Sequence, residues 1–135
     1  MPEKCQRHYD VPMRKPGTDE NNVQTSDVLC DFCHAEWTED RPMLEGHQGS
    51  CICGNCLSIA YREVILHRDN PAGDAYRCVM CLESEKDRAA INRAGEAGWR
   101  SPMYDEAAIC QRCIKLASGA LHKDRDSGWK KPASA

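Results

Sequence analysis

The stretch Cys30-Asp31-Phe32-Cys33 begins a pattern that the chain uses twice. The first copy continues with Cys53-Gly54-Asn55-Cys56, and the second copy consists of Cys78-Val79-Met80-Cys81 and Cys110-Gln111-Arg112-Cys113. Two thiolates separated by two residues can face the same ion, and two such pairs supply the four ligands of a tetrahedral site. The pattern therefore predicts two four-cysteine metal sites, with a helix beginning at the second pair of each.

This prediction assigns eight cysteines as metal ligands, four to each site. They are Cys30, Cys33, Cys53, Cys56, Cys78, Cys81, Cys110 and Cys113. Four thiolates favour Zn²⁺ in a closed tetrahedral site, so we expect two structural zinc ions per chain. A closed site leaves no position for a reactive water, so we assign no catalytic residue and expect the protein not to be an enzyme. Iron ligation, of the iron–sulfur or rubredoxin type, and a disulfide framework are the competing interpretations.

The composition agrees with a small fold that needs metal to hold it together. The chain has 135 residues, a single Phe and a mean hydropathy of -0.68, which leaves little apolar surface for a large core. The N-terminus is polar and no apolar run is long enough to span a membrane. We therefore predict a cytoplasmic protein, since paired cysteines in a reducing compartment more often bind metal than form disulfides.

Breaks in the apolar pattern divide the chain into four segments. We predict a flexible N-terminal tail over residues 1–26, a first zinc finger over 27–70, a second over 71–123 and a disordered C-terminal tail over 124–135. The breaker-rich run from Asp69 to Asp74 separates the two fingers. The second finger carries nine extra residues between its cysteine pairs.

Within each finger, the sequence predicts a short hairpin and a helix, which makes the fold class small α+β. The hairpin of the first finger is expected over residues 34–50, and a helix over Leu57–Arg68 with one apolar face. The second finger should contain a short helix over Asp87–Ala94 and a closing helix over Ile114–His122. Apolar residues of the hairpin should cover the metal site.

Two cysteines fall outside the predicted sites. Cys51 aligns with Ala108 in the second finger, so we interpret it as a small packing residue and a spare thiol. Cys5 and His8 have the spacing of a ligand pair, but no second pair remains for them, so Cys5 is expected to be a free, exposed cysteine. Acidic residues of the second finger, such as Glu83, are expected on a solvated face.

The first finger resembles a known family. Its run Cys30-Asp31-Phe32-Cys33, then Met43-Leu44-Glu45-Gly46, then Cys51-Ile52-Cys53-Gly54-Asn55-Cys56-Leu57 is similar to the four-cysteine zinc finger at the N-terminus of the ClpX unfoldase. The second finger, from Cys78 to Leu121, is similar to a more divergent copy whose longer insert departs from the family spacing.

The resemblance implies two tandem treble-clef fingers, each with a knuckle, a short hairpin and a helix. In that family the finger dimerises and binds adaptors and substrate proteins. The chain has no GxxxxGK[ST] motif, so the resemblance implies a recognition module without the ATPase. The repeat also suggests an intramolecular pseudo-dimer in which the helix faces around Val64 and Ile114 meet; a homodimer is the other arrangement.

We therefore predict a non-enzymatic module that recognises a protein partner of unknown identity, in proteolysis or protein quality control. The first alternative is a nucleic-acid-binding zinc-finger regulator. Its basic patch would be drawn from Arg62, Arg68, Arg77, Arg88, Arg93, Arg100, Arg112 and Lys115. The net charge of -3 and the interspersed acidic residues disfavour that alternative. The second alternative is a redox or metal sensor that uses Cys5 and Cys51 or releases zinc on oxidation.

Overall fold

The computed structural model describes residues 14–19, 21–22, 24, 27–73 and 75–133. Within these ranges the chain forms two antiparallel two-stranded hairpins, and each hairpin leads directly into a helix. The fold is therefore small α+β. Cys5 and His8 lie outside the described residues, as does most of the predicted N-terminal tail. None of the helices in the described ranges is long and apolar enough to cross a membrane.

The first hairpin joins β1 (Met43–Glu45) to β2 (Cys51–Cys53). The predicted position, residues 34–50, is too early in the chain. Within the first part of that range the structure has isolated bridges instead, such as the one between Thr38 and Arg41. The observed hairpin lies later in the chain than the predicted one because its second strand ends at a ligand cysteine. The second cysteine pair therefore begins inside the hairpin.

The first helix, α1 (Gly54–Ala60), follows β2 directly and continues as a π-helical segment over Tyr61–Leu66. It begins earlier than the predicted start at Leu57. The reason is a cap that the apolar pattern does not show: the Cys53 sulfur accepts a hydrogen bond from the Cys56 N–H at 3.5 Å. This sulfur occupies the place that a Ser, Thr or Asp oxygen usually takes at a helix N-terminus.

The apolar face predicted for this helix is confirmed. Leu57, Ala60 and Val64 are buried, and Tyr61 and Ile65 are half-buried and pack against the core. These five positions return to one side of the helix at helical spacing.

The second unit contains α2 (Glu85–Ala90), the strands β3 (Gly98–Arg100) and β4 (Ala108–Cys110), and the long closing helix α3 (Gln111–Lys123). The two hairpins have the same register: in each, the first residue of the first strand pairs with the ligand cysteine that ends the second strand. Of the nine extra residues, seven precede the hairpin, where the chain forms α2. The other two lengthen the hairpin turn, which spans 46–50 in the first unit and 101–107 in the second.

Helix α2 is shorter than predicted and begins two residues earlier. Ser84 and Asp87 form a capping box, in which the Ser84 hydroxyl accepts from the Asp87 N–H at 3.2 Å and the Asp87 carboxylate accepts from the Ser84 N–H at 2.9 Å. The helix ends at Ala90 because Asn92 adopts a left-handed conformation with φ of 64°.

The two units share one hydrophobic core. Phe32 of the first unit packs on Trp99 of the second, with ring centroids 5.6 Å apart. Ile52 and Ile109, which the sequence predicts at equivalent places under the two helices, are both fully buried. Helix α3 contacts α1 and the π-helical segment, so the two helices meet at the centre of the molecule.

Each hairpin turn also binds the first cysteine turn of the other unit. The His47 N–H donates to the Met80 carbonyl at 2.7 Å, and the Ser101 hydroxyl donates to the Phe32 carbonyl at 2.6 Å. Phe32 and Met80 are equivalent in the repeat, so the two contacts are reciprocal. Each unit therefore supports the metal-site backbone of the other.

The chain after α3 differs from the predicted disordered tail. Trp129 is only 7% exposed and belongs to the shared core. Its indole N–H lies 3.0 Å from both the Gly54 carbonyl and the Ser58 hydroxyl oxygen, so it binds the start of α1. The prediction missed this contact because a single aromatic residue in a polar stretch has no periodicity to mark it.

Candidate metal centres

The structure brings the eight predicted ligands together in two groups of four. We call Cys30, Cys33, Cys53 and Cys56 the first centre, and Cys78, Cys81, Cys110 and Cys113 the second centre. In each centre the four sulfur atoms all lie within 4.8 Å of one another. In the second half of each centre, one cysteine ends a strand and the other lies in the first turn of the helix that follows.

The first cysteine pair of each centre sits on the same tight turn. In the first centre the His34 N–H donates to the Cys30 carbonyl at 2.8 Å, and in the second the Leu82 N–H donates to the Cys78 carbonyl at 2.7 Å. His34 and Leu82 both adopt left-handed conformations, with φ of 60° and 70°. A bulky apolar residue is uncommon in that region, so the turn geometry holds Leu82 against its own preference. Below, we call this CxxC turn a knuckle.

Backbone N–H groups point at the sulfur atoms in both centres. Cys30 Sγ accepts from the N–H groups of Phe32 at 3.4 Å and Cys53 at 3.3 Å. Cys78 Sγ accepts from the N–H groups of Cys81 at 3.5 Å and Cys110 at 3.4 Å. Such donors stabilise negative charge on sulfur and orient the ligands around an ion.

The sulfur separations fit a tetrahedral metal. A Zn–S bond of about 2.3 Å places the sulfurs of a tetrahedral site about 3.8 Å apart. Three sulfur pairs lie close to this value, at 3.9 Å for Cys30–Cys56, 3.7 Å for Cys33–Cys53 and 3.9 Å for Cys81–Cys110, and the other pairs in each centre lie within 4.8 Å. A disulfide needs about 2.0 Å, and the nine cysteines in the described part of the chain are all unpaired. The two clusters can therefore hold metal ions, with zinc the best match.

The pKa shifts of the cysteine thiols also favour a bound metal ion. Hydrogen bonding with the sulfurs of Cys33, Cys53 and Cys56, together with burial, raises the pKa of Cys30. Those that Cys53 accepts from Cys30 and Cys56 lower the pKa of Cys53. Four thiolates this close repel one another, so some of them retain their protons until a cation enters. A divalent ion removes that conflict, because it attracts all four charges at once.

Cys51 belongs to neither centre. It is 6% exposed at the start of β2, and its thiol donates to the Gly49 carbonyl at 3.7 Å. Burial raises the pKa of Cys51 to about 12, so its sulfur stays protonated at neutral pH. Ala108 takes the same position at the start of β4 and is also buried. The side chain at this position therefore has a packing role in both units.

A network of four charged residues covers the second centre. Arg93 donates to Glu83 at 2.7 Å and to both carboxylate oxygens of Glu96, at 2.5 and 2.8 Å. Arg112 pairs with Glu83 at 3.2 Å. Another N–H of Arg93 lies 3.6 Å from the Cys110 sulfur. The solvated face expected for Glu83 is therefore wrong: its side chain is 19% exposed and holds two guanidinium groups.

Sequence reasoning missed this network because it placed Glu83 on a solvated acidic face and the two arginines in a basic patch. Glu96 was in neither group. One sequence signal was present. Glu83 follows the first cysteine pair of this unit by two residues, and Arg112 lies between the cysteines of the second pair. A closed four-cysteine site therefore brings their backbones close together. Arg93 and Glu96 lie in the extra segment, where spacing gives no indication of contact.

The basic patch expected for a nucleic-acid-binding protein loses three of its members. Arg88 is 2% exposed and donates to the carbonyls of Tyr76 and Glu83, at 2.8 and 3.0 Å. Arg93 is engaged by the two carboxylates described above. Arg100 binds the carbonyls of Ala72 and Asp105. These guanidinium groups are used inside the fold, which weakens that alternative.

Comparison with known proteins finds no matching family model, no matching curated protein and no matching solved structure.

Proposed function

We propose that the chain is a zinc protein in which each centre holds one structural Zn²⁺. The observation that carries the proposal is the pair of four-sulfur clusters, in which three sulfur separations of 3.7 to 3.9 Å match the edge of a zinc–thiolate tetrahedron. The zinc ions take the place of a large hydrophobic core. A structural zinc contributes on the order of 10 kcal/mol to folding, which is enough to hold a domain this small.

The order of elements supports two treble-clef fingers of the ClpX type. Each centre takes two ligands from a knuckle, one from the end of a hairpin and one from the first turn of a helix. This is the arrangement that the resemblance implies. The longer insert of the second unit keeps it, because the extra residues form α2 and a longer turn outside the ligand set.

On this scaffold the protein acts as a non-enzymatic recognition module for another protein. Four thiolates complete the zinc coordination and leave no open position for a substrate. A groove of about 260 Å³ runs between the two units beside the second centre. Its apolar part is formed by Leu44, Met80 and Leu116, and Leu116 is 63% exposed. Exposed apolar side chains at a groove are the usual anchors of a protein interface.

The metal assignment is tested by elemental analysis of matched cysteine variants. We expect about two zinc ions per wild-type chain, about one in Cys56→Ser, and about two in Cys51→Ser, because a ligand is lost only in the first variant. The two variants are well matched, because both replace a buried cysteine of the first unit. Bound iron, or equal loss of zinc from both variants, would show that the assignment is wrong.

The recognition role is tested by affinity capture with the zinc-loaded chain. We expect a protein partner that stays bound at high salt and is lost with Leu116→Asp. It should be kept with Ile91→Asp, which changes another exposed apolar residue, at 54% exposure, away from the groove. Salt-sensitive retention of nucleic acid instead would favour the regulator alternative.

A further inference from the structure

The two centres share their backbone plan but differ in what surrounds the sulfurs. In the second centre, Arg112 lies between Cys110 and Cys113 and pairs with Glu83, which lies two residues after Cys81. This ion pair links the two ligand-bearing turns to each other. The equivalent positions in the first unit hold Asn55 and Ala35, which carry no charge. The corresponding link between the turns is therefore specific to the second unit.

Two further residues of the second unit close this link into a ring. Glu96 accepts from the backbone N–H of Arg112 at 3.1 Å and from the side chain of Arg93. Arg93 in turn pairs with Glu83. Arg93 and Glu96 both lie in the extra segment that the first unit lacks. Their side chains are 18% and 12% exposed, so water weakens these contacts less than it weakens surface ion pairs.

The ring also reaches one of the sulfur atoms. A guanidinium N–H of Arg93 lies 3.6 Å from Cys110 Sγ. Two arginines balance two glutamates, so the ring brings no net charge to the centre. Its contribution is geometric: it fixes both ligand-bearing turns and aims a charged N–H donor at the Cys110 sulfur. A site that is held in its bound geometry before the ion arrives binds that ion more tightly.

We propose that the ring formed by Glu83, Arg93, Glu96 and Arg112 makes the second centre the tighter of the two zinc sites, so that the first centre loses its metal first. The inference rests on the proposed function, since it needs zinc at both centres. It assigns the four residues a positioning role. It also makes the first centre the one whose occupancy responds to the supply of zinc.

The experiment follows zinc release from the two-zinc protein into an excess of a chromogenic chelator. We expect a fast phase and a slow phase of equal amplitude. Amide signals of the first centre should change during the fast phase in a parallel NMR experiment. Glu83→Ala and Arg112→Asn install the residues of the first unit, and each should speed the slow phase about tenfold or more without changing the fast one.

Glu39→Ala and Arg125→Asn are the matched controls, because both remove an exposed charge outside the ring. Both should leave the two phases unchanged. A single release rate, a fast phase that belongs to the second centre, or an equal effect of the ring variants on both phases would overturn the inference. These outcomes are distinct from failure of the proposed function, in which the purified chain binds no zinc at all.

Discussion

Gly46 and Ser101 occupy the same place in the two hairpin turns, and each lies against the knuckle of the opposite unit. A Cβ atom on Gly46 would lie 2.6 Å from the Met80 carbonyl oxygen and 2.9 Å from the Met80 Cα. At the equivalent contact the Ser101 hydroxyl donates to the Phe32 carbonyl. The first turn thus needs a residue without a side chain, while the second uses a side chain as its donor.

Gly46→Ala should therefore destabilise the protein. The new methyl group meets backbone atoms that cannot move without disturbing the second centre, and we expect a loss of about 1–3 kcal/mol in the free energy of unfolding. Urea unfolding of the zinc-saturated protein measures this loss.

Gly119→Ala is the control for this prediction, because nothing lies within 4 Å of the added Cβ. It lies within α3, where Ala is preferred over Gly, so it should stabilise the protein by up to about 1 kcal/mol. Similar stabilities for the two variants would contradict the close approach at Gly46.

At the scale of single residues, the ligand cysteines could be predicted from the sequence, but the residues that surround them could not. Each ligand pair is a local pattern, and the alignment of Cys51 with Ala108 was enough to separate Cys51 from the ligands. The ring at the second centre depends on how the extra segment folds back over the cysteines. Arg93 and Glu83 are ten residues apart in sequence, and no periodicity relates them.

At the scale of elements, the Trp129 side chain attaches the segment after α3 to the first unit. The Trp129 indole packs on the start of α1, where a Cβ on Gly54 would lie 2.9 Å from the ring. Its N–H reaches a backbone carbonyl and a hydroxyl of the same helix. The C-terminal segment therefore connects α3 of the second unit to α1 of the first unit.

Trp129→Ala should cost about 3–5 kcal/mol of stability, because it empties a buried aromatic site. Trp129→Phe keeps most of the ring but loses the N–H donor, and its cost should be about 1–2 kcal/mol. Thermal unfolding followed by circular dichroism measures both variants.

Lys130→Ala is the control for the Trp129 variants, because Lys130 is the next residue in the chain and its side chain is exposed. This substitution should change the stability by less than about 0.5 kcal/mol. If Trp129→Ala were as stable as Lys130→Ala, the segment would not contribute to the fold as described.

The elements themselves were predictable in kind but not in their limits. The apolar face of the first helix was visible in the sequence, whereas its start was set by a sulfur cap on Cys53. The start of α2 was set by the capping box of Ser84, and the short hairpins were set by the cysteines at their ends. Where side-chain caps rather than apolar spacing fix a boundary, periodicity alone misplaces it by several residues.

At the scale of the whole molecule, the two units do not have separate cores. The Phe32–Trp99 contact, the packing of α3 on α1 and the reciprocal hydrogen bonds all cross from one unit to the other. The sequence showed a repeat and suggested that its helices face each other. It did not show the reciprocal contacts, because these join residues that are far apart in the chain.

This shared core should make the zinc-saturated protein unfold as one cooperative unit. We expect the slowest-exchanging amides of α1 and α3 to report the same opening free energy in native-state hydrogen exchange, because neither helix can be exposed alone. Tryptophan fluorescence and circular dichroism should then give coincident unfolding transitions. Two separate transitions, or clearly different opening free energies for the two helices, would show that the units fold independently.

The reciprocal contacts also determine whether the two units need an intact connecting loop to stay associated. Residues 67–70 are exposed, and Arg68 adopts a left-handed conformation with φ of 60° in this stretch. Within the loop, Asn70 accepts a hydrogen bond from the Gly98 N–H at 2.9 Å. The aromatic contact and the reciprocal hydrogen bonds between the units are made by side chains and turns on either side of the loop. A protease that cuts after Arg68 should therefore leave two fragments that remain associated, each still bearing one complete set of four cysteines.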